Sequence, residues 1–68
     1  MTLSPSLKEA VEKAEVAVVK ELAHCFADLI EAVLSWITIE RYDKALSYAL
    51  DASSVLAKLL LALYKLRH

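Results

Sequence analysis

Apolar side chains recur along this chain at alternating spacings of three and four residues, the period of an amphipathic helix. In the first half the repeat runs from Leu22 to Trp36. Continued past Trp36, it would reach the polar residues Glu40 and Asp43. A second repeat runs unbroken from Ile39 to Leu63, out of register with the first. This slip in phase predicts two helices with a reversal of the chain between them.

The two repeats predict a single all-α domain over residues 1–68, in which two long antiparallel helices form a helical hairpin. We expect the first helix over about 5–36, the turn over about 37–41 and the second helix over about 41–66. The chain contains no glycine, so no residue type marks the turn. One continuous helix with a stutter in its repeat is the alternative.

Helix-capping residues agree with the predicted start of the first helix. Ser4 followed by Pro5 fits an N-cap with proline at the first helical position. Ser6 with Glu9 fits a capping box as an alternative start. Either pair predicts that the first helix begins within the first six residues.

The predicted turn contains a run of β-branched residues, Ile37-Thr38-Ile39. Such residues lose side-chain freedom in a helix, so three together weaken it locally. Thr38 and Asp43 are both candidates to cap the second helix, because their side-chain oxygens accept hydrogen bonds from free backbone N–H groups.

Residues 41–52 resemble the opening of the second helix of a tetratricopeptide-type hairpin. The matching positions are Tyr42, Ala45 and Ala52. The glycine that normally precedes the tyrosine is absent, and the predicted helices are too long for a 34-residue repeat. The resemblance is local, and it implies a turn before Tyr42.

Each predicted helix carries a polar arc about 100° wide, and nearly all its remaining surface is apolar. A helix on the surface of an ordinary domain needs an apolar stripe only somewhat wider than about 100°. A lone hairpin would therefore expose a large apolar area, so we expect assembly into a four-helix bundle, as a homodimer or a higher oligomer, with the dimer favoured. The interface is predicted from the apolar repeats: Val18, Leu22, Phe26, Leu29, Val33, Trp36, Tyr42, Leu46, Ala49, Leu56, Leu60 and Leu63.

Composition strengthens this expectation. Hydrophobic residues make up 59% of the 68 residues, against about 45–50% in typical globular domains. A core this small supplies only about 3–5 kcal/mol, so small folds usually lean on disulfides, metals or oligomerisation. The single cysteine, Cys25, excludes a disulfide within the chain.

Charge and hydropathy argue against nucleic acids and membranes as partners. The net charge is −1, which gives no basic footprint for DNA or RNA. Charged residues interrupt the apolar runs, and the first residues lack the basic and apolar regions of an export signal. We therefore expect a cytoplasmic protein with no membrane partner.

One pattern fits a metal site. Glu21 and His24 have the Glu-x-x-His spacing of di-iron bundles, and Asp51 is predicted at a similar height on the second helix. A metal-binding carboxylate and histidine bundle is thus one alternative function. All three residues fall in the polar arcs, however, and solvent exposure accounts for them more simply.

Neither a catalytic group nor a cofactor site follows from the sequence. His24 and Cys25 are neighbours, but adjacent helical residues point about 100° apart, so they do not form a nucleophile–base pair. We expect Cys25 to be buried and inert, because it shares its direction with Leu29 and Trp36. We therefore expect no enzyme activity, no bound metal or cofactor and no small-molecule substrate.

The main functional prediction is a structural or interaction protein that self-associates. A binding module that accepts a helix of another protein on the same apolar face is the alternative. A capped start without tails also fits a designed chain, whereas a lone cysteine and a glycine-free turn fit one less well.

Overall fold

Two long helices account for almost all of the chain that the structure describes. The computed structural model describes residues 5–67, and the side chains of residues 6–67. Helix α1 spans Pro5–Thr38 and helix α2 spans Tyr42–Leu66, and they pack against each other. The predicted all-α helical hairpin is confirmed. Helix α1 ends two residues later than expected, and α2 begins one residue later.

The turn between the helices is a Schellman-type reversal that uses a glutamate where glycine is usual. The Glu40 N–H donates to the Ile37 carbonyl at 2.9 Å, and the Arg41 N–H donates to the Trp36 carbonyl at 2.9 Å. This pair of bonds satisfies carbonyls that the end of a helix leaves free. It requires a left-handed residue, and Glu40 has φ 62°. The conformation costs a non-glycine residue about 1–2 kcal/mol.

Replacing Glu40 with glycine is expected to stabilise the protein by about 0.5–1 kcal/mol. Glycine adopts the left-handed conformation without the Cβ clash, which outweighs its larger loss of entropy on folding. Urea unfolding at a fixed protein concentration measures the change. Glu40→Ala is the control, because it removes the same charge but keeps the Cβ, and it should not gain this stability. Equal stability of the two variants would mean that the left-handed turn stores no strain.

The capping predictions have mixed outcomes. Ser4 lies outside the described residues, and Ser6 lies inside α1. Thr38 does not cap α2, because it belongs to α1 and its hydroxyl donates to the Leu34 carbonyl at 2.8 Å. The residue at the N-cap of α2 is Arg41, with no side-chain capping bond. Asp43 lies within the first turn of α2, so it is not the cap either.

The two helices meet along a contact face that is narrow and rich in small residues on α2. Only Ala45 and Ala52 are buried among the described side chains, with 6% and 2% of their surface exposed. They lie seven residues apart and allow α2 to approach α1 closely. Flanking them are half-buried side chains from both helices: Val19, Leu22, Phe26, Leu29, Ala32, Val33 and Trp36 of α1, and Tyr48, Ala49, Val55, Leu59, Ala62 and Leu66 of α2.

The hairpin is elongated, and its two arms differ in length. Its principal extents are 57 × 15 × 14 Å. Helix α1 has 34 residues and α2 has 25, so α1 projects about 13 Å past the end of α2 at 1.5 Å per residue. Glu12, Glu15 and Val16 lie beside Lys65 and Leu66, where the two arms last run together.

Candidate interaction surface

The hairpin exposes more surface than a compact protein of its mass. Its accessible surface is 5632 Å², whereas folded monomers of 7.6 kDa expose about 4,300 Å² by the usual scaling with mass. The difference of about 1,300 Å² exceeds the roughly 800 Å² that each partner contributes to a standard protein interface. One hairpin therefore has the area that a stable interface needs.

Much of this excess is apolar and lies beside the contact face of each helix. On α1, successive heptad positions form what we term the side stripe of α1: Val16, Ala23, Ile30 and Ile37. On α2, the residues about 50–100° from the contact face form the side stripe of α2: Tyr42, Leu46, Ser53, Leu56, Leu60 and Leu63, with Ala49 at its inner border.

Both side stripes lie on the same side of the hairpin. On each helix, the side stripe is reached from the contact face by turning about 90° around the helix axis, in the sense in which the chain winds as residue number increases. Since both helices are right-handed and run antiparallel, these rotations carry the two stripes to one common face. That face bears strongly exposed side chains, such as Leu46 at 63% and Leu60 at 59%. The hairpin thus presents one continuous apolar surface about as long as α2.

The structure divides the predicted interface residues into two groups. Six are half-buried between the helices: Leu22, Phe26, Leu29, Val33, Trp36 and Ala49. The other six are exposed on the hairpin surface: Val18, Tyr42, Leu46, Leu56, Leu60 and Leu63.

Most of the predicted α2 repeat therefore does not pack on α1. The contact face of α2 lies about 90° away from it, because alanines permit a closer approach of the two backbones than leucines do. Whether the exposed group forms an interface between copies stays a prediction. The buried residues that the repeat missed, Ala45 and Ala52, had a signal in the sequence: two small residues one heptad apart.

An aromatic cluster fixes the turn end of the contact face. The rings of Trp36 and Tyr48 stack with their centroids 6.3 Å apart and an interplanar angle of 25°. The Lys44 ammonium lies 5.9 Å from the centroid of the Trp36 ring, within the range of a cation–π interaction. This cluster joins the last turn of α1 to the first turns of α2.

The polar arcs lie away from the contact face. Glu21, His24 and Asp28 of α1 are exposed, as is Asp51 of α2. Within residues 5–67, no group of three or more histidine, cysteine, aspartate or glutamate side chains is placed to hold a metal ion. The geometry gives the metal-site alternative no preformed set of ligands.

Cys25 differs from its prediction. It is exposed, not buried, and it lines a shallow depression with His24, Leu29 and Tyr48. The reason is its position at the border between the contact face and the polar arc of α1. As a solvent-accessible thiol it is available for chemical labelling.

Substituting His24 by alanine is expected to change the free energy of unfolding by less than about 0.5 kcal/mol. Exposed polar residues without specific partners contribute little to stability, and alanine has the higher helix propensity. Thermal unfolding of His24→Ala and Asp28→Ala beside the parent protein measures this. A loss above about 1.5 kcal/mol in either variant would show that the substituted residue takes part in a stabilising contact.

One ion pair borders the turn. The Arg41 Nε atom lies 3.3 Å from Asp43 Oδ1. The hydrogen bond from Arg41, together with one from the backbone of Lys44, holds the pKa of Asp43 below its usual 3.8. A lowered pKa adds stability above pH 3.8 that is lost as the pH falls through the folded value. Both side chains are exposed, so solvent screens the pair.

Judged by its length and mean hydropathy alone, α2 is also long enough and apolar enough to cross a membrane. Its polar residues argue for a different setting. Asp51 and Lys58 lie near the middle of the helix, where a charged side chain costs about 2.5–3.5 kcal/mol in a bilayer. Packing against other helices would leave both charges in water while covering the apolar sides.

At the open end of the hairpin, a groove of about 370 Å³ runs along the side opposite the side stripes. It is lined by the apolar residues Val18, Leu22 and Leu61 and by the charged residues Glu15, Lys58 and Lys65, and Val18 and Leu61 are exposed. Leu61 therefore lies among the polar residues of α2, although its neighbour Leu60 lies on the side stripe.

Comparison of the chain with protein-family models, curated proteins and solved structures finds no match. The resemblance of residues 41–52 to a tetratricopeptide helix therefore stays local.

Proposed function

We propose that this chain is a structural, self-associating helical hairpin without catalytic activity. Copies pack through their common apolar face into a bundle of four or more helices. The observation that carries the proposal is burial: of the described side chains, only those of Ala45 and Ala52 are buried in a single hairpin. A core of two alanines with half-buried flanks is too small to hold two long helices in place.

The charge distribution supports a second copy as the partner. Helix α1 contains six acidic residues and three lysines, whereas α2 contains two aspartates and three lysines. The helices have opposite net charge, so a copy supplies both an apolar face and complementary charge. Exposed ion pairs between helices contribute only about 0–1 kcal/mol each, so they affect how the copies are arranged more than how stable the assembly is. The low net charge of −1 also limits repulsion between copies.

Solution mass measured against concentration tests the proposal. Light scattering and sedimentation equilibrium of the purified protein should give a defined multiple of 7.6 kDa. On dilution, the mass and the helical circular dichroism should fall together, because folding and assembly are coupled. A helical monomer at millimolar concentration would overturn the proposal.

Two other findings would point to other occupants of the apolar face. Undefined aggregates that become stoichiometric only with a partner helix would favour the binding-module alternative, and they contradict self-assembly. A protein that is monomeric in water and transfers to neutral phosphatidylcholine vesicles would identify α2 as a membrane helix.

A further inference from the structure

Helix α2 has a third apolar side, which a bundle of two hairpins leaves uncovered. Beyond its side stripe, about 160–170° from the contact face, lie three residues at heptad spacing: Leu50, Ala57 and Tyr64. We call them the outer edge of α2. Leu50 is 62% exposed and Tyr64 is 63% exposed. Apolar or small residues therefore cover α2 from its contact face, across its side stripe, to its outer edge.

A helix in a two-hairpin bundle has two flanking neighbours, and the core lies between them. For α2 these neighbours would cover the contact face and the side stripe, leaving the outer edge in water. On α1 the heptad positions beyond the side stripe are Lys13, Lys20, Ala27 and Leu34, so its apolar surface extends that far only near the turn, where Leu34 is 63% exposed. In the half of the hairpin away from the turn, α2 thus needs more neighbours than α1.

We propose that α2 lies inside a closed ring of three or more parallel copies, with α1 outside, an inference that rests on the proposed self-association. In a ring of three, each α2 has four neighbours: its own α1, the α2 helices of two other copies, and the α1 of one of those copies. Seen down the axis of α2, the first and the last of these neighbours lie about 180° apart. Each neighbour also covers surface on both sides of its own direction, so each α2 needs an apolar arc of about 240°. The three apolar sides of α2 supply that arc.

Helix α1 has the complementary shape for the outer position. Its side stripe contacts the outer edge of the next copy's α2. From Val16 to Ile37 the heptad positions of this stripe carry no charge. The equivalent position one heptad nearer the N-terminus is Glu9, where α1 has passed the end of α2. The apolar part of the side stripe of α1 therefore ends at the level where the α2 helix of the next copy would end.

Polar residues of α2 occupy the one direction that such a ring leaves open to solvent. Ser47, Asp51, Ser54 and Lys58 lie opposite the side stripe and are exposed. The side stripe of α2 itself has the unbroken three-four spacing of a parallel coiled coil, with Ala49, Leu56 and Leu63 at one heptad position. In a parallel ring, these side chains meet their counterparts from other copies at the axis.

Disulfide cross-linking tests the parallel contact. Ala49→Cys in a Cys25→Ala background should form disulfide-linked pairs under mild oxidation, because identical residues meet near the axis within disulfide range. Ser47→Cys in the same background is the matched control, and it should stay unlinked because Ser47 faces solvent. Antiparallel α2 helices would separate the two Ala49 positions by about 15 Å. Absence of linkage at position 49, or equal linkage in both variants, would overturn the ring.

Mass and a charge on the outer edge provide an independent readout. The parent assembly should have at least three times the 7.6 kDa mass of one chain. Leu50→Lys should lower that mass, whereas Ser54→Lys on the polar side should not. A stable mass of two chains, unchanged by Leu50→Lys, would overturn the ring and leave the proposed self-association standing. A mass of one chain would overturn both.

Discussion

Replacing Leu60 with glutamate is expected to dissociate the assembly and to unfold most of the chain at micromolar concentration. Leu60 lies on the side stripe of α2 and is 59% exposed in one hairpin, so a lone hairpin would tolerate the change. In the assembly, the substitution places an unpaired carboxylate in an apolar interface, at a cost of about 3–5 kcal/mol. That corresponds to an increase in the dissociation constant of at least about 100-fold.

The neighbouring leucine is a matched control for this experiment. Leu61 is 60% exposed, but it lies among polar residues, beside Lys58 and Lys65. Leu61→Glu should retain the parent mass and helicity, because its carboxylate stays in water near two lysines. Light scattering and circular dichroism over a dilution series measure both variants. Equal behaviour of the two would mean that the side stripe of α2 is not an interface.

Replacing Trp36 with alanine is expected to reduce the free energy of unfolding by about 3–5 kcal/mol, the usual cost of removing a large aromatic side chain from a packed site. The indole stacks on Tyr48 and lies under the Lys44 ammonium, so these contacts are lost together. Since they join the two helices beside the turn, the substitution should also weaken assembly. Urea unfolding at several protein concentrations separates the two effects.

Two variants locate the source of the Trp36 effect. Trp36→Phe should recover more than half of the lost stability, because it keeps an aromatic ring against Tyr48. Lys44→Ala should cost less than about 1 kcal/mol, because a cation–π interaction at an exposed site is weak. A loss of less than about 1 kcal/mol in Trp36→Ala would show that the stacked pair contributes little to the hairpin.

The helices and their reversal were accessible from the sequence for a simple physical reason. The helical repeat depends on residue type alone, and its change of phase between Trp36 and Tyr42 is visible without coordinates. The form of the turn was not accessible. In a sequence, a left-handed position is normally recognised by a glycine. Here Glu40 takes that conformation because the two hydrogen bonds to the Trp36 and Ile37 carbonyls at the end of α1 require it.

The contact face of α2 was harder to predict, because α2 carries two apolar repeats. One contains Leu46, Leu56 and Leu60, and the other is centred on Ala45 and Ala52. Hydrophobicity favours the leucine repeat, since it offers more apolar area. Within the hairpin, however, the smaller repeat permits the closer packing of backbones, so residue size decides the contact. The exposed leucines are then left for the proposed interface.

The three-residue turn has a consequence for the rate at which the protein folds. Contacts near such a turn are local in sequence, and pairing of two helices through local contacts takes microseconds to milliseconds. The encounter of separate chains is bimolecular and slows on dilution. If the hairpin becomes stable only on meeting other copies, the recovery of helical circular dichroism on refolding from urea should become faster as the protein concentration rises.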